Sequence, residues 1–325
     1  MRVIARRLLF YIVTAILAVT VTFFIPRLMP GNPVEAVLSH LMGNVTPATI
    51  RSLEQQYGLD SKQGLWGQYT TFWVHLAHGN LGVSTSYYPS TVTSVIRSAL
   101  PWTIGLVGVA TVISFVLGTL LGVLVAWRRG TWLDNLLPAT TFFQAAPYFF
   151  VAFIALDIFA HRLGWFPTGR AYNQLDFPGF NAAYVGDVLD HAILPAATIV
   201  LCSAAGWIVG MRNVMVTTMD EDYVLVAQAK GLPKRRVIWY AARNAVLPSV
   251  SGFSLAIGFV VSGALLTEIV FSYPGLGWIL LQAVSGRDYP LLQGIFLIIT
   301  FAVLLANLAA DSVYVLLDPR TRQEA

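Results

Sequence analysis

The sequence predicts an all-α membrane protein with six transmembrane helices and both termini in the cytoplasm. Three observations predict this: a composition poor in charge, six uncharged runs of bilayer length, and a lopsided distribution of basic residues. Of the 325 residues, 56% are hydrophobic and only 11% are charged. A soluble domain carries about 25% charged residues, so this chain lacks the charge to cover a soluble surface. That disfavours a soluble enzyme and a disordered protein. A net charge of only +4 gives no basis for nucleic-acid binding. The lone cysteine, Cys202, allows neither a disulfide nor a cysteine-based metal site within the chain.

A bilayer core about 30 Å thick needs roughly 20 apolar residues of helix. The uncharged runs are Leu8 to Ile25, Ala99 to Trp127, Leu136 to Leu156, Ala192 to Met211, Ala245 to Thr267 and Tyr289 to Ala310. Backbone groups in lipid must bond internally, so each run is expected to be a helix. The first run follows Arg2, Arg6 and Arg7, as a signal peptide would. It is longer than the usual apolar core of such peptides and lacks a small-x-small cleavage site, so a retained helix is expected.

Orientation follows from positive charge. With both termini inside, the inner segments hold Arg2, Arg6, Arg7, Arg128, Arg129, Arg212, Lys230, Lys234, Arg235, Arg236, Arg243, Arg320 and Arg322. That is 13 of 20, and the other seven are spread over much longer outer segments. The chain therefore divides into residues 1–27 (tail and first span), an outer segment 28–98, a five-helix core 99–317 with an inner loop 212–244, and a tail 318–325. In the outer segment, Pro47 to Tyr57 and Trp66 to Leu76 look helical, with Thr46-Pro47 as a helix start.

Within the runs, small residues recur four apart: Ser114, Gly118 and Gly122; Gly206 and Gly210; Ser254, Gly258 and Ser262; Ala302, Ala306 and Ala310. Such spacing lets helix backbones approach closely, either within the chain or with a partner subunit. Pro147 interrupts the third run and should kink it. Asp157 and Glu268 end the third and fifth runs and are expected at the outer interface. Asp311, near the inner end of the sixth run, is a candidate partner for Arg212 or Arg243. His75 and His78 are a close histidine pair, read as surface or packing residues and not as a metal site.

The inner loop carries the most specific signal. Tyr223 to Lys230 has a helical pattern too short to span a membrane. Gly231 is placed to cap it, Pro233 bars continuation, and a basic helix is expected from Lys234 to Asn244. Pro248 marks the start of the fifth span. This geometry suits docking of a cytoplasmic partner, or an amphipathic helix resting on anionic lipid.

Ala227 and Gly231 four residues later, followed by Leu247-Pro248, resemble the loop of ATP-binding-cassette importer permeases. The string Asp-Tyr-Val…Ala-x-Ala-Lys-Gly-Leu…Arg-Asn-Ala…Leu-Pro is similar to the dipeptide/oligopeptide/nickel branch of that family. So are Tyr57-Gly58-Leu59-Asp60, Leu163-Gly164-Trp165-Phe166-Pro167, Ile193-Leu194-Pro195-Ala196, Phe271-Ser272-Tyr273-Pro274-Gly275-Leu276-Gly277, Arg287-Asp288-Tyr289-Pro290 and Leu317-Asp318-Pro319-Arg320. Leu225-Val226-Ala227 stand where the general importer motif has Glu-Ala-Ala. The large outer segment resembles the first permease of the family's heterodimers.

The resemblance implies a type I importer permease fold forming half of a translocation path for di- or oligopeptides. It implies a homologous second permease, two ATP-binding subunits or domains, an extracytoplasmic solute-binding protein and contact with membrane lipid. Asp222, Tyr223, Ala227, Lys230, Gly231, Leu232, Lys234 and Arg235 would form the ATPase-coupling loop; Pro147, Asp311 and Arg212 are candidate structural or gating residues. No residue is expected to be catalytic. The chain lacks a G-x-x-x-x-G-K-[S/T] phosphate loop, so ATP and magnesium are expected on the partners. Nickel or another small solute is the alternative cargo. A gradient-driven transporter fits less well, because the span centres carry almost no charge for an ion relay.

Overall fold

A computed structural model describes residues 2–28, 64–133, 137–173, 179, 181–258, 260 and 264–317. Its helices are α1 (Arg2–Leu28), α2 (Leu65–Ala77), α3 (Val92–Thr103), α4 (Val109–Trp127), α5 (Leu137–Ala145), α6 (Tyr148–Ala155), α7 (Ala182–Met219), α8 (Asp222–Ala229), α9 (Lys234–Gly258), α10 (Leu265–Val270), α11 (Leu276–Ser285) and α12 (Tyr289–Leu317). π-helical turns at Ile104–Gly108 and Leu156–Arg162 join α3 to α4 and extend α6. Among the described residues the only β feature is an isolated bridge between Val83 and Thr91. Three described helices are long and apolar enough to cross a bilayer: Val92–Trp127, Ala182–Met219 and Tyr289–Ala309.

The third expected span is a broken element and not a kinked helix. α5 and the helix that starts at Tyr148 meet at 101°. Pro147 is extended, at φ −60° and ψ 133°, and serves as the N-cap of α6. The residue before a proline is pushed out of the α region, so α5 closes with the Ala146 amide on the Phe142 carbonyl at 2.9 Å. The fifth expected span also differs. Its helix runs from Lys234 through Pro248 to Gly258, and α10 resumes at Leu265. The expected basic helix and the inner part of that span are one rod, so Pro248 does not separate them. The helix expected over Trp66 to Leu76 is present as α2, whereas Thr46-Pro47, Pro47 to Tyr57 and the tail 318–325 lie outside the described residues.

The chain forms two compact units. One takes the described residues of Met1–Thr103 and Pro274–Leu305. In it, Phe23 of α1 packs on Tyr69 and Phe72 of α2, with ring centroids 5.2 and 5.5 Å apart. The Thr20 and Tyr69 hydroxyls share a hydrogen bond of 2.7 Å. The Leu276 amide donates to the Thr103 hydroxyl at 2.8 Å, tying α11 to α3. Asp288 is wholly buried and is the hub of this unit's loop. Its carboxylate accepts from the Ser84 hydroxyl, from the Ser86 amide at 2.9 Å and from the Leu291 amide at 3.0 Å. It thereby caps α12 and pins the outer segment to it. The Tyr87 phenol beside it is pushed above the usual tyrosine range, first by burial and then by the Asp288 charge.

The other unit takes the described residues of Ile104–Tyr273 and Ala306–Glu324. Its centre is the pairing of α4 with α7. Ser114, Gly118 and Gly122 are all buried on α4. A Cβ on Gly118 would lie 2.9 Å from the Ala204 carbonyl oxygen, and one on Gly122 would lie 2.8 Å from that of Ile208. These glycines are therefore used within the chain, as backbone-to-backbone contact in lipid demands. Gly210 on α7 has open space around it. At 38 residues and 1.5 Å rise, α7 is about 57 Å long, so it projects well beyond a bilayer core.

Glu268 is fully buried in α10, and the Tyr273 amide donates to its backbone carbonyl at 2.8 Å. Asp157 is exposed as expected and pairs with Arg162 at 2.7 Å. The two landmark loops meet here: the Arg170 amide donates to the Phe271 carbonyl at 2.8 Å, and a Cβ on Gly169 would lie 2.7 Å from that same oxygen.

Candidate coupling site and cavity

The inner loop expected over 212–244 is much shorter in the structure, because α7 continues to Met219 and α9 begins at Lys234. Between these rods stands α8. Asp220, Glu221 and Asp222 precede or open it, where negative charge suits the helix dipole. Glu221 is the extended N-cap, and Lys230 closes the helix. Gly231 follows in the left-handed region at φ +73°. Its amide donates to the Gln228 carbonyl at 2.9 Å, and the Leu232 amide reaches back to the Ala227 carbonyl at 3.3 Å. This pair of bonds is a Schellman motif, which satisfies carbonyls a helix end leaves open. Leu232 then packs against the cluster that holds Ala227. Pro233 fixes the reversal and its carbonyl accepts from the Arg236 amide at 2.8 Å, starting α9.

Only Val224 and Ala227 on α8 are buried. They enter a cluster with Ala126, Met211, Met215, Val237, Ala241 and Ala245, which joins α4, α7, α8 and α9. The small side chain at 227 therefore gives close approach to the chain's own helices. The outward face presents Tyr223, Leu225 and Val226, exposed at 41%, 50% and 52%. Asp222, Lys230, Gly231, Lys234 and Arg235 are exposed around it, and Leu232 is half-buried. The structure thus brings all eight loop candidates together. Leu225 and Val226, not singled out from the sequence, are the apolar centre of the outward face. Their alternation with buried Val224 and Ala227 was the available signal.

The three remaining candidates lie elsewhere. Pro147 sits at the break described above. The Arg212 guanidinium donates to the Asn213 side chain at 3.3 Å. Asp311 lies on α12, but its side chain is outside the described set, and so is any pairing with Arg212 or Arg243.

In the same unit lies a cavity of about 300 Å³. It lies where α4, α6, α7 and α9 converge, and Val107, Thr111, Tyr148, Ser203, Trp207 and Val260 are among its walls. Among the described residues, no charged one lines it. The Tyr148 and Ser203 hydroxyls are 3.2 Å apart, and Trp207 is braced edge-on by Phe115 at 5.1 Å. Hydroxyls on an otherwise apolar wall can exchange hydrogen bonds with neutral polar groups without fixing a charge.

A helical protein with bilayer-length apolar rods, an open cleft among them whose described walls carry no charge, and a short exposed helix held between two rods is, by class, an integral membrane transport component. Residues 118–323 match the family described as the binding-protein-dependent transport system inner membrane component, and the chain belongs to that family. It is 34% identical to the di/tripeptide transport system permease protein DppB of Pseudomonas aeruginosa, over 99% of this chain and 98% of that one. It is 31% identical to the dipeptide transport system permease protein DppB of Alkalihalophilus pseudofirmus, over 98% of each. It is 30% identical to the oligopeptide transport system permease protein AppB of Bacillus subtilis, again over 98% of each. The chain is an inner-membrane permease of an ATP-binding-cassette importer.

Proposed function

We propose that this permease forms one half of a peptide translocation path and is driven from the cytoplasm through α8. The observation that carries the reading is the outward apolar face of Tyr223, Leu225 and Val226 on a helix otherwise anchored to the core. Apolar side chains left exposed on a short helix whose other side is buried, with charged residues around them, suit an interaction surface. In this reading the face docks into one of two ATP-binding subunits or domains, which carry the ATP and magnesium. Closure of that pair displaces α8, and the displacement passes through the Val224–Ala227 cluster into α7 and α9.

The chain has six membrane-crossing segments in this reading, with α1, the α5–α6 pair and the α9–α10 segment added to the three long rods. Both termini and the α8 loop face the cytoplasm, supported by the excess of basic residues on that side. The division into tail and first span, outer segment 28–98, core 99–317 and tail 318–325 is retained. A homologous second permease completes the path, and an extracytoplasmic binding protein delivers cargo. Peptide cargo is supported by the names of the relatives and by a cavity whose hydroxyls suit backbone amides better than free ions. The absence of charge on its wall offers little to a nickel ion, which prefers imidazole, thiolate or carboxylate ligands.

The test is Gly231→Val in the assembled complex, with ATP-dependent dipeptide uptake and subunit assembly measured together. A side chain in the left-handed region costs roughly 1–2 kcal/mol, so the turn should open and uptake should fall at least severalfold. Full uptake at normal expression contradicts the coupling role of this turn.

A further inference from the structure

A second cavity, of about 420 Å³, lies beside the coupling turn. Trp127 ends α4, Met219 ends α7, Gln228 and Leu232 belong to the α8 turn, and Lys234 and Val237 open α9; all line it. The space is far larger than the roughly 30 Å³ share of a water molecule, and Met219, Leu232 and Val237 make its wall apolar. Among the described residues lining it, Lys234 is the one charged residue. Arg128 and Arg129 follow Trp127, and Arg235 and Arg236 follow Lys234, all exposed. A tryptophan at a helix end with flanking basic residues is the signature of a membrane–water interface. The inner leaflet carries the acidic lipids that such residues attract.

We infer that this cavity is a binding site for one anionic phospholipid of the cytoplasmic leaflet, its phosphate at Lys234 and its upper acyl methylenes against Met219, Leu232 and Val237. The inference rests on the cytoplasmic orientation of α8 proposed above. It assigns the lipid a position against the Gln228–Leu232 turn, so an occupied cavity stiffens the joint between α8 and α9. Leaflet composition then sets how firmly movement of α8 reaches the spans.

The experiment uses the complete importer in nanodiscs containing phosphatidylglycerol or phosphatidylcholine probes with a diazirine near the glycerol. After photolysis, the labelled peptides are identified by mass spectrometry. Phosphatidylglycerol should label the segments around Met219 and Leu232–Ile238 in preference to phosphatidylcholine. Lys234→Gln should cut that preference about fivefold, the worth of one basic residue near an anionic surface, and Lys234→Arg should keep it. Ile238 also lines the cavity, so Ile238→Trp should fill the space and remove labelling by both probes. Equal labelling by the two probes, labelling confined to bilayer-facing helices, or a preference unmoved by Lys234→Gln overturns the inference. So does labelling blocked by an ATP-binding subunit seated over the cavity. A cross-link from Leu225→Cys to that subunit, measured in the same sample, separates the two readings: if it persists while the lipid preference is absent, only the lipid site falls.

Discussion

At the scale of single residues, glycine and aspartate do the positional work. Gly122 admits no Cβ because the α7 backbone lies against it. Gly122→Val should therefore push α4 from α7 and destabilise the detergent-solubilised protein by about 1–3 kcal/mol, as overpacking does. Thermal unfolding followed by intrinsic fluorescence measures this. Gly210→Ala meets nothing within 4 Å and removes a mid-helix glycine, so it should raise the melting temperature slightly, by the equivalent of about 0.5–1 kcal/mol. If it lowers uptake of a folded complex, that face of α7 packs on the second permease. Asp288 is the polar counterpart. Asp288→Ala strips acceptors from Ser84, Ser86 and Leu291. Hydrogen bonds to a charged group contribute about 1.5–3 kcal/mol each in favourable cases, so a loss of several kcal/mol and faster proteolysis of the 84–91 loop are expected. Asp288→Asn keeps one acceptor and should lose less.

At the scale of elements, α8 was legible in the sequence because its signals are local. A short periodic stretch, a glycine and a proline within three residues define both its end and the reversal. What the sequence hid depends on tertiary contact. Pro248 has the chemistry of a boundary, yet α9 passes through it. Pro147 looked like a kink, yet the chain turns through 101° there. Glu268 ends an apolar run, and the packing that encloses it is something no run length reveals. The prediction at this scale concerns the outward face of α8. Leu225→Asp should leave the permease folded, since that side chain is exposed, while lowering ATP-dependent uptake at least tenfold. Val224→Asp introduces charge into the buried cluster and should abolish expression instead. Equal effects of the two on folding would contradict the assignment of faces.

At the scale of the whole molecule, composition alone announced a membrane protein, and the family assignment over residues 118–323 agrees with it. The cavity between α4, α6, α7 and α9 was not legible, because its walls come from four separated segments with no shared motif. The same holds for the apolar neighbours Leu225 and Val226, whose roles follow from which side of α8 the core occupies. We propose that this permease is moved through α8 by a cytoplasmic ATPase. Its one cysteine, Cys202, is buried, so a single introduced thiol gives a clean readout. The most direct measurement places Leu225→Cys in the complete complex and asks what it cross-links to, with and without ATP. A cross-link to an ATP-binding subunit, with a yield that changes with nucleotide, is expected. Labelling of that thiol by a membrane-impermeant reagent from outside intact cells, with no cross-link to the ATPase, would contradict it.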